Sequence, residues 1–157
     1  MKIKVKRFGE TAPLKVLVQG DWIDLAARED VVIPDKYTLT RIPLGVAMEL
    51  PKGYEVIVAP RSSTAMKHGI ILANSIGIID NEYNGNNDEW SFCAMNICLQ
   101  PVTIEKGTRI AQFRIQLSQK ATVWQKLKWL FDSKIEFEYV DILHNQSRGG
   151  YGTTGEK

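Results

Sequence analysis

The sequence predicts a mainly β protein, a sandwich or barrel of short strands. Three observations carry this. Lys2-Ile3-Lys4-Val5-Lys6 alternates strictly between charged and apolar residues, the period of a half-buried strand. Short apolar runs then recur along the chain, each closed by Gly, Pro, Asn or Lys. Finally, 157 residues with 44% hydrophobic content can bury a core without disulfides or a structural metal.

In order, the first run is the Lys2 to Lys6 strand. Leu44 to Leu50 and Tyr54 to Ala59 flank Pro51-Lys52-Gly53 and read as a β-hairpin, because Pro presets φ and Gly accepts φ > 0. Gly69 to Ala73, Ile76 to Ile79, Trp90 to Leu99, Val102 to Ile104 and Ile110 to Leu117 follow as short strands. Ala121 to Phe131 departs from the pattern: Val123, Leu127 and Leu130 recur at helical spacing, which predicts one short amphipathic helix. Ile135, Phe137 and Tyr139 alternate with Glu136 and Glu138 and return the chain to a strand. Beyond Leu143 the glycine-rich, polar tail has too little apolar surface to order itself. The expected organisation is one body over 1–143, with a helical insertion at about 121–131, and a flexible arm over 144–157.

Composition excludes several classes. A net charge of +2 supplies no field for general nucleic-acid or membrane binding. Cys93 and Cys98, the two cysteines, form no CxxC spacing, which argues against a disulfide framework or zinc site and for a reducing, cytoplasmic setting. The N-terminus lacks a signal-peptide core, and no run of about eighteen apolar residues occurs.

Chemistry concentrates in four places. Ala59-Pro60-Arg61-Ser62-Ser63 sets a guanidinium and two hydroxyls at a strand exit, a set suited to phosphate oxygens; taken alone, it reads more readily as a turn or N-cap with Arg61 in a structural ion pair. Gly77 to Gly85 (GIIDNEYNG) ends an apolar strand in a polar hairpin. There Asp80 could deprotonate a water and Tyr83 could pack on a base or sugar, although Asp, Asn and Gly are also ordinary turn residues. Lys106 to Phe113 (KGTRIAQF) feeds a strand that would point Arg109 and Gln112 to opposite faces, Gln112 offering an amide and Arg109 being mainly structural. In the tail, Arg148 adds charge, the glycines expose backbone N–H groups and Tyr151 could stack; as an isolated feature it reads better as a disordered tail.

Taken together and in order, these segments resemble the trimeric deoxyuridine triphosphate nucleotidohydrolases (dUTPases). Five motifs carry the likeness: Asp24-Leu25-Ala26-Ala27, APRSS from Ala59, GIIDNEYNG from Gly77, KGTRIAQF from Lys106 and GGYGTTG from Gly149. The resemblance implies a jelly-roll or β-clip barrel, a homotrimer with shared sites, and a C-terminal arm that closes as a lid. It implies Mg2+ as cofactor and dUTP as substrate, cleaved to dUMP and pyrophosphate by water attack on the α-phosphorus. By the same resemblance Asp80 activates that water, and Tyr83 packs on the deoxyribose and excludes a 2′-hydroxyl. Asn74, with the backbone of Gly77 and Ile79, reads uracil. Ser62, in the Arg61-Ser62-Ser63 segment, contacts the phosphates; Gln112 lies near the α-phosphate, and Asp24 holds magnesium through water. Arg61 is in the family mostly a partner at the subunit interface.

The chain departs from the family pattern at Glu82 (usually Asp), Ser63 (often Gly) and Tyr151 (usually Phe). The family's arm Arg precedes the stacking aromatic by five positions, where this chain has Gln146; Arg148, three before Tyr151, is taken as its substitute. Two further segments, Asn86 to Trp90 and Ala121 to Leu143, look like those of dUTPases from Gram-positive bacteria and their phages, and are either partner surfaces or extra packing at the trimer contact. The rivals are a nucleotide-gated regulatory protein with a protein partner, and the related dCTP deaminase. The deaminase needs a Glu in the strand after the third motif, and Ser91 to Asn96 contains none.

Overall fold

A computed structural model describes residues 1–15, 21–132 and 134–150. Twelve strands and two helices are assigned among these residues. The N-terminal alternation forms β1 (Lys2–Arg7), whose Ile3 and Val5 are fully buried while the lysines line the other face. Next come β2 (Ile23–Ala26), β3 (Val31–Ile33), β4 (Leu39–Pro43), β5 (Val46–Glu49) and β6 (Tyr54–Pro60). Helix α1 (Thr64–His68), β7 (Ile70–Leu72), β8 (Gly77–Ile79), β9 (Ser91–Asn96), β10 (Val102–Ile104) and β11 (Arg109–Leu117) follow, then helix α2 (Val123–Phe131) and β12 (Glu136–Val140).

The strands make four sheets, ordered β12-β1-β5, β10-β3, β2-β11-β6-β8 and β4-β9-β7, so the architecture is mainly β without a closed barrel among the described residues. One apolar core lies between them, built from residues such as Ile3, Ile42, Met48, Val56, Phe92 and Phe113. Trp90 and Phe113 meet edge to face at 5.3 Å between ring centroids. The strand β12 closes the fold by running parallel to β1, Ile3 opposite Phe137, and thereby delivers the C-terminal segment to the third-motif hairpin.

Three sequence expectations are corrected. The turn at Pro51-Lys52-Gly53 forms, with the Tyr54 N–H donating to the Pro51 carbonyl and Gly53 at φ +84°, but its flanking strands do not pair. Instead β5 pairs with β1, and β6 with β11 and β8. A positive φ at the second central residue is the type II geometry, whose twist splays strands rather than matching a hairpin. The turn therefore carries the chain from one sheet to another. Secondly, there are two helices rather than one. The extra helix α1 spans five residues, too few for a periodic signal, although Ser63 before it and Gly69 (φ +63°) after it are start and stop residues. Thirdly, a β-bulge between Arg109 and Ala111 sets Arg109 opposite Ala26 and Gln112 opposite Asp24. One extra residue inverts the face, so Arg109 and Gln112 share one side of the sheet. The amphipathic helix expected over Ala121 to Phe131 forms as α2, and its stripe Val123, Leu127 and Leu130 is not buried in the single chain. The helix begins with a Thr122/Gln125 capping box, and Trp129 packs on Tyr54 at 5.5 Å. Trp124 and Phe131 remain 80% and 84% exposed in the single chain.

Candidate active site

The residues singled out from sequence gather at two places. The first is a cavity of about 270 Å³ whose lining includes Asn74, Gly77, Ile79, Asp80, Tyr83 and Arg148. Strand β8 builds its floor by pairing with β6, Gly77 opposite Val58; a Cβ on Gly77 would stand 3.3 Å from the Val58 Cβ, so the glycine permits the close approach. Asp80 follows β8 directly. Its carboxylate accepts the backbone N–H groups of Glu82 at 3.0 Å and Tyr83 at 3.2 Å, an Asx-type turn that fixes the side chain at the strand exit. The Tyr83 hydroxyl donates to the Glu89 carbonyl at 3.1 Å, which orients the ring beside the carboxylate. Asn74 sits at the rim in a tight turn, its amide donating to the Ile76 carbonyl at 3.0 Å while Ser75 takes φ +63°.

The C-terminal segment completes this cavity. One Arg148 nitrogen donates to both Asp80 oxygens, at 3.0 and 2.8 Å, and Gly150 lies against the Tyr83 ring, where an added Cβ would be 3.2 Å away. Burial pushes the Asp80 carboxyl up, but the Arg148 hydrogen bonds and charge, with the N–H groups of Glu82 and Tyr83, outweigh it and hold the group below its ordinary range. The same contact raises Arg148. Close by, burial pushes Glu89 up, against the opposing pull of the Gly45 N–H and the Arg28 guanidinium 3.0 Å away.

The second place is the sheet face where β2, β11 and the end of β6 meet. Asp24 receives the Arg61 Nε at 2.8 Å on one oxygen and an Arg109 nitrogen at 2.9 Å on the other. Gln112, opposite Asp24 in the ladder, donates to the Pro60 carbonyl at 3.1 Å. The APRSS segment turns there: Arg61 N–H donates to Ile110 O, and the buried Thr64 hydroxyl donates to the same carbonyl at 2.7 Å. Ser62 is exposed, and Ser63 occupies the N-cap position of α1 without a side-chain capping bond. Asp24, Arg61, Ser62, Ser63 and Gln112 do not line the first cavity. Tyr151 lies outside the described residues.

Asp88 and Trp90 were not singled out from the sequence. Trp90 lines the cavity and is buried, as is Asp88 behind the hairpin. The spacing of Gly85 and Asp88 signals a turn, since the Asp88 carboxylate accepts the Gly85 N–H at 2.9 Å, but no local pattern shows that this turn meets residues sixty positions later. Among the described residues no group of three His, Cys, Asp or Glu could hold a metal, and no helix is long and apolar enough to cross a membrane. Asp24 is thus a single carboxylate with each oxygen already accepting a guanidinium, which fits a water-mediated contact to a metal rather than direct ligation.

A strand-rich fold thus carries a carboxylate, an aromatic ring and an arginine around one small cavity, and a separate carboxylate–guanidinium cluster on a sheet face. The dUTPase family model matches residues 23–127. The chain is 46% identical to the SPbeta prophage-derived deoxyuridine 5'-triphosphate nucleotidohydrolase YosS of Bacillus subtilis strain 168, over the full length of both. It is 35% identical to the deoxyuridine 5'-triphosphate nucleotidohydrolase of Hydrogenobaculum sp. strain Y04AAS1, again over both full lengths. Among solved structures, the dUTPase of Streptococcus mutans aligns with a TM-score of 0.67 at 25% identity, covering 75% of this chain and 98% of that one. The dUTPase of Staphylococcus bacteriophage 80alpha shares the fold at a TM-score of 0.65 and 21% identity, covering 77% of this chain and 93% of that one. The chain belongs to the dUTPase family.

Proposed function

We propose that this chain hydrolyses dUTP to dUMP and pyrophosphate, and that Asp80 is the base. The observation that carries the reading is the carboxylate held at the exit of β8 by two backbone N–H groups, with Tyr83 beside it in one cavity. Asp80 takes a proton from water, the water oxygen bonds to the α-phosphorus, and the bridging bond to the β-phosphate breaks with its electron pair leaving on pyrophosphate. Tyr83 packs on the deoxyribose, while Asn74 with the Gly77 and Ile79 backbone binds the uracil edge; a ribose or cytosine would leave that fit unmet. In the free chain Arg148 neutralises Asp80. The triphosphate is the stronger anion, so its arrival draws Arg148 onto phosphate and releases the base to bind water. Tyr151 stacks as the arm closes. When bound, Mg2+ supplies charge neutralisation of the phosphate oxygens, and Asp24 would hold it through water.

Because Asp24, Arg61, Ser62, Ser63 and Gln112 lie apart from the cavity, we assign them to a neighbouring chain's site in a homotrimer, with Ser62 and Gln112 at the phosphates. Metabolically, the reaction limits uracil incorporation into DNA and supplies dUMP for dTMP synthesis, in the cytoplasm. A second reading, a nucleotide-gated contact with a regulatory protein, draws on the exposed Trp124, Leu130 and Phe131 of α2. Phage dUTPases with this fold are described as controlling transfer of virulence genes.

The deciding experiment measures pyrophosphate release from dUTP, dCTP, dTTP and UTP with magnesium, with ammonia followed in parallel. Release from dUTP alone is expected. Ammonia from dCTP overturns the hydrolase reading, and binding of dUTP without turnover supports the regulatory one.

A further inference from the structure

The hairpin insertion after Tyr83 and residues 143–149 at the start of the C-terminal arm meet backbone to side chain. Asn86 Oδ1 accepts the Leu143 N–H at 3.1 Å, and Ser147 Oγ accepts the Asn87 N–H at 2.9 Å. Asp88 is 1% exposed, and its carboxylate accepts consecutive arm N–H groups, Arg148 at 3.0 Å and Gly149 at 3.2 Å, besides that of Gly85. A buried carboxylate is costly unless such donors surround it, and two of its three come from the arm. Gly85 adds a steric condition: a Cβ there would lie 2.2 Å from the Ser147 Cα, so the arm backbone rests where a side chain would be.

We propose that this insertion is the docking site of the arm and that Asp88 is a positioning residue for dUTP hydrolysis. It touches neither the base nor the phosphates; it fixes the Arg148 and Gly149 backbone so that the Arg148 side chain reaches Asp80 and, with substrate bound, the triphosphate. The inference rests on the hydrolase reading for its kinetic consequence and on the contacts alone for the docking.

The test uses full-length protein carrying Asp88→Asn, which keeps shape and removes the charge, and Gly85→Ala, which keeps the charge and obstructs the arm. Each is expected to lower kcat/KM for dUTP by ~10- to 100-fold, the range set by losing one or two hydrogen bonds to a charged acceptor. Limited trypsin digestion supplies the second readout. Cleavage at Arg148–Gly149, protected when that N–H and guanidinium are both bound, should accelerate by a similar factor, while bonds after Arg41 and Arg114 within β4 and β11 stay resistant. Acceleration at those core bonds as well would mean a merely structural role and overturns the proposal, as does wild-type protection and turnover in Gly85→Ala. Should Asp88→Asn fail to fold, Gly85→Ala decides alone. A wild-type chain that does not hydrolyse dUTP refutes the hydrolase reading instead, and the digestion pattern still decides the docking.

Discussion

Asp24 has a side chain 16% exposed and is gripped by two guanidinium groups, one at the end of β6 and one on β11, strands that pair in a single sheet. Asp80 is 51% exposed and meets one guanidinium, which arrives on a C-terminal segment held outside the sheets by the hairpin and Asp88. Both are aspartate–arginine pairs at about 2.8 Å, yet only the second can open without disturbing a strand ladder. That difference suits the roles proposed above, a fixed scaffold for phosphate on one side and, on the other, a base that would exchange an arginine for a water. Position in the topology, rather than the local chemistry of the pair, separates the two.

The comparison breaks most sharply at Asp80. Asp80→Asn keeps the shape and removes the proposed base, and turnover should fall by about 10²–10⁴-fold, the share usually carried by general base catalysis. Binding of a non-hydrolysable dUTP analogue should persist, measured by titration calorimetry beside pyrophosphate release. Near-wild-type turnover would remove Asp80 from the mechanism. The next largest effect comes from opening the latch. Arg148→Ala removes the largest influence that lowers the Asp80 carboxyl, the Arg148 hydrogen bond, together with its charge, and leaves burial, which raises it, opposed only by the Glu82 and Tyr83 N–H groups. The acid limb of kcat/KM, which reports the free enzyme, should therefore move to higher pH than in the wild type, and kcat/KM on its plateau should drop ~10-fold or more. Stability follows the same sign: a depressed carboxyl stabilises the fold at pH values above its unfolded value of about 3.9 and loses that contribution as pH falls through the native value. In Arg148→Ala the loss should begin at higher pH, as read from thermal unfolding between neutral and acid conditions.

The same contrast explains what could be read from sequence. Lys2 to Lys6 was legible because alternation is a local property, and Ser91 to Asn96 as part of the apolar run Trp90 to Leu99, its alternating burial of Phe92 and Ala94 appearing only in the fold. Motif residues that follow one another, Gly77 through Tyr83, were legible as a unit because the turn after Asp80 is closed by its own next residues. Partners were not. That β5 leaves Pro51-Lys52-Gly53 for a different sheet from β6 depends on what each strand finds across the core. The Arg109 face depends on one bulged residue, and the Asp88 role depends on an arm about sixty positions away. β2, β3 and β4 went unread although β7, β8 and β10, of three residues each, were legible as apolar runs closed by turn residues, so length alone does not separate the two sets.

The smallest effect should lie at the rigid pair, and it sharpens the comparison because its signature is different in kind. Asp24→Ala leaves the Arg61 and Arg109 guanidinium groups facing each other across β2 and β11 with no anion between them. Arg61, 29% exposed, loses a partly sheltered partner, whereas Arg109 at 59% can turn to solvent, so most of the cost belongs to Arg61. A loss of ~1–2 kcal/mol in unfolding free energy is expected, the low end of hydrogen bonds to charged groups once solvent screening of the partly exposed pair is counted, with an unchanged denaturant m-value. Because Asp24 does not line the cavity of its own chain, the Arg148–Asp80 latch should be unaffected. The acid limb for Asp24→Ala should coincide with that of the wild type while its overall rate falls through the phosphate side. If that limb moved as it does in Arg148→Ala, the two pairs would be coupled through the core, and the division into a fixed half and an opening half would not hold.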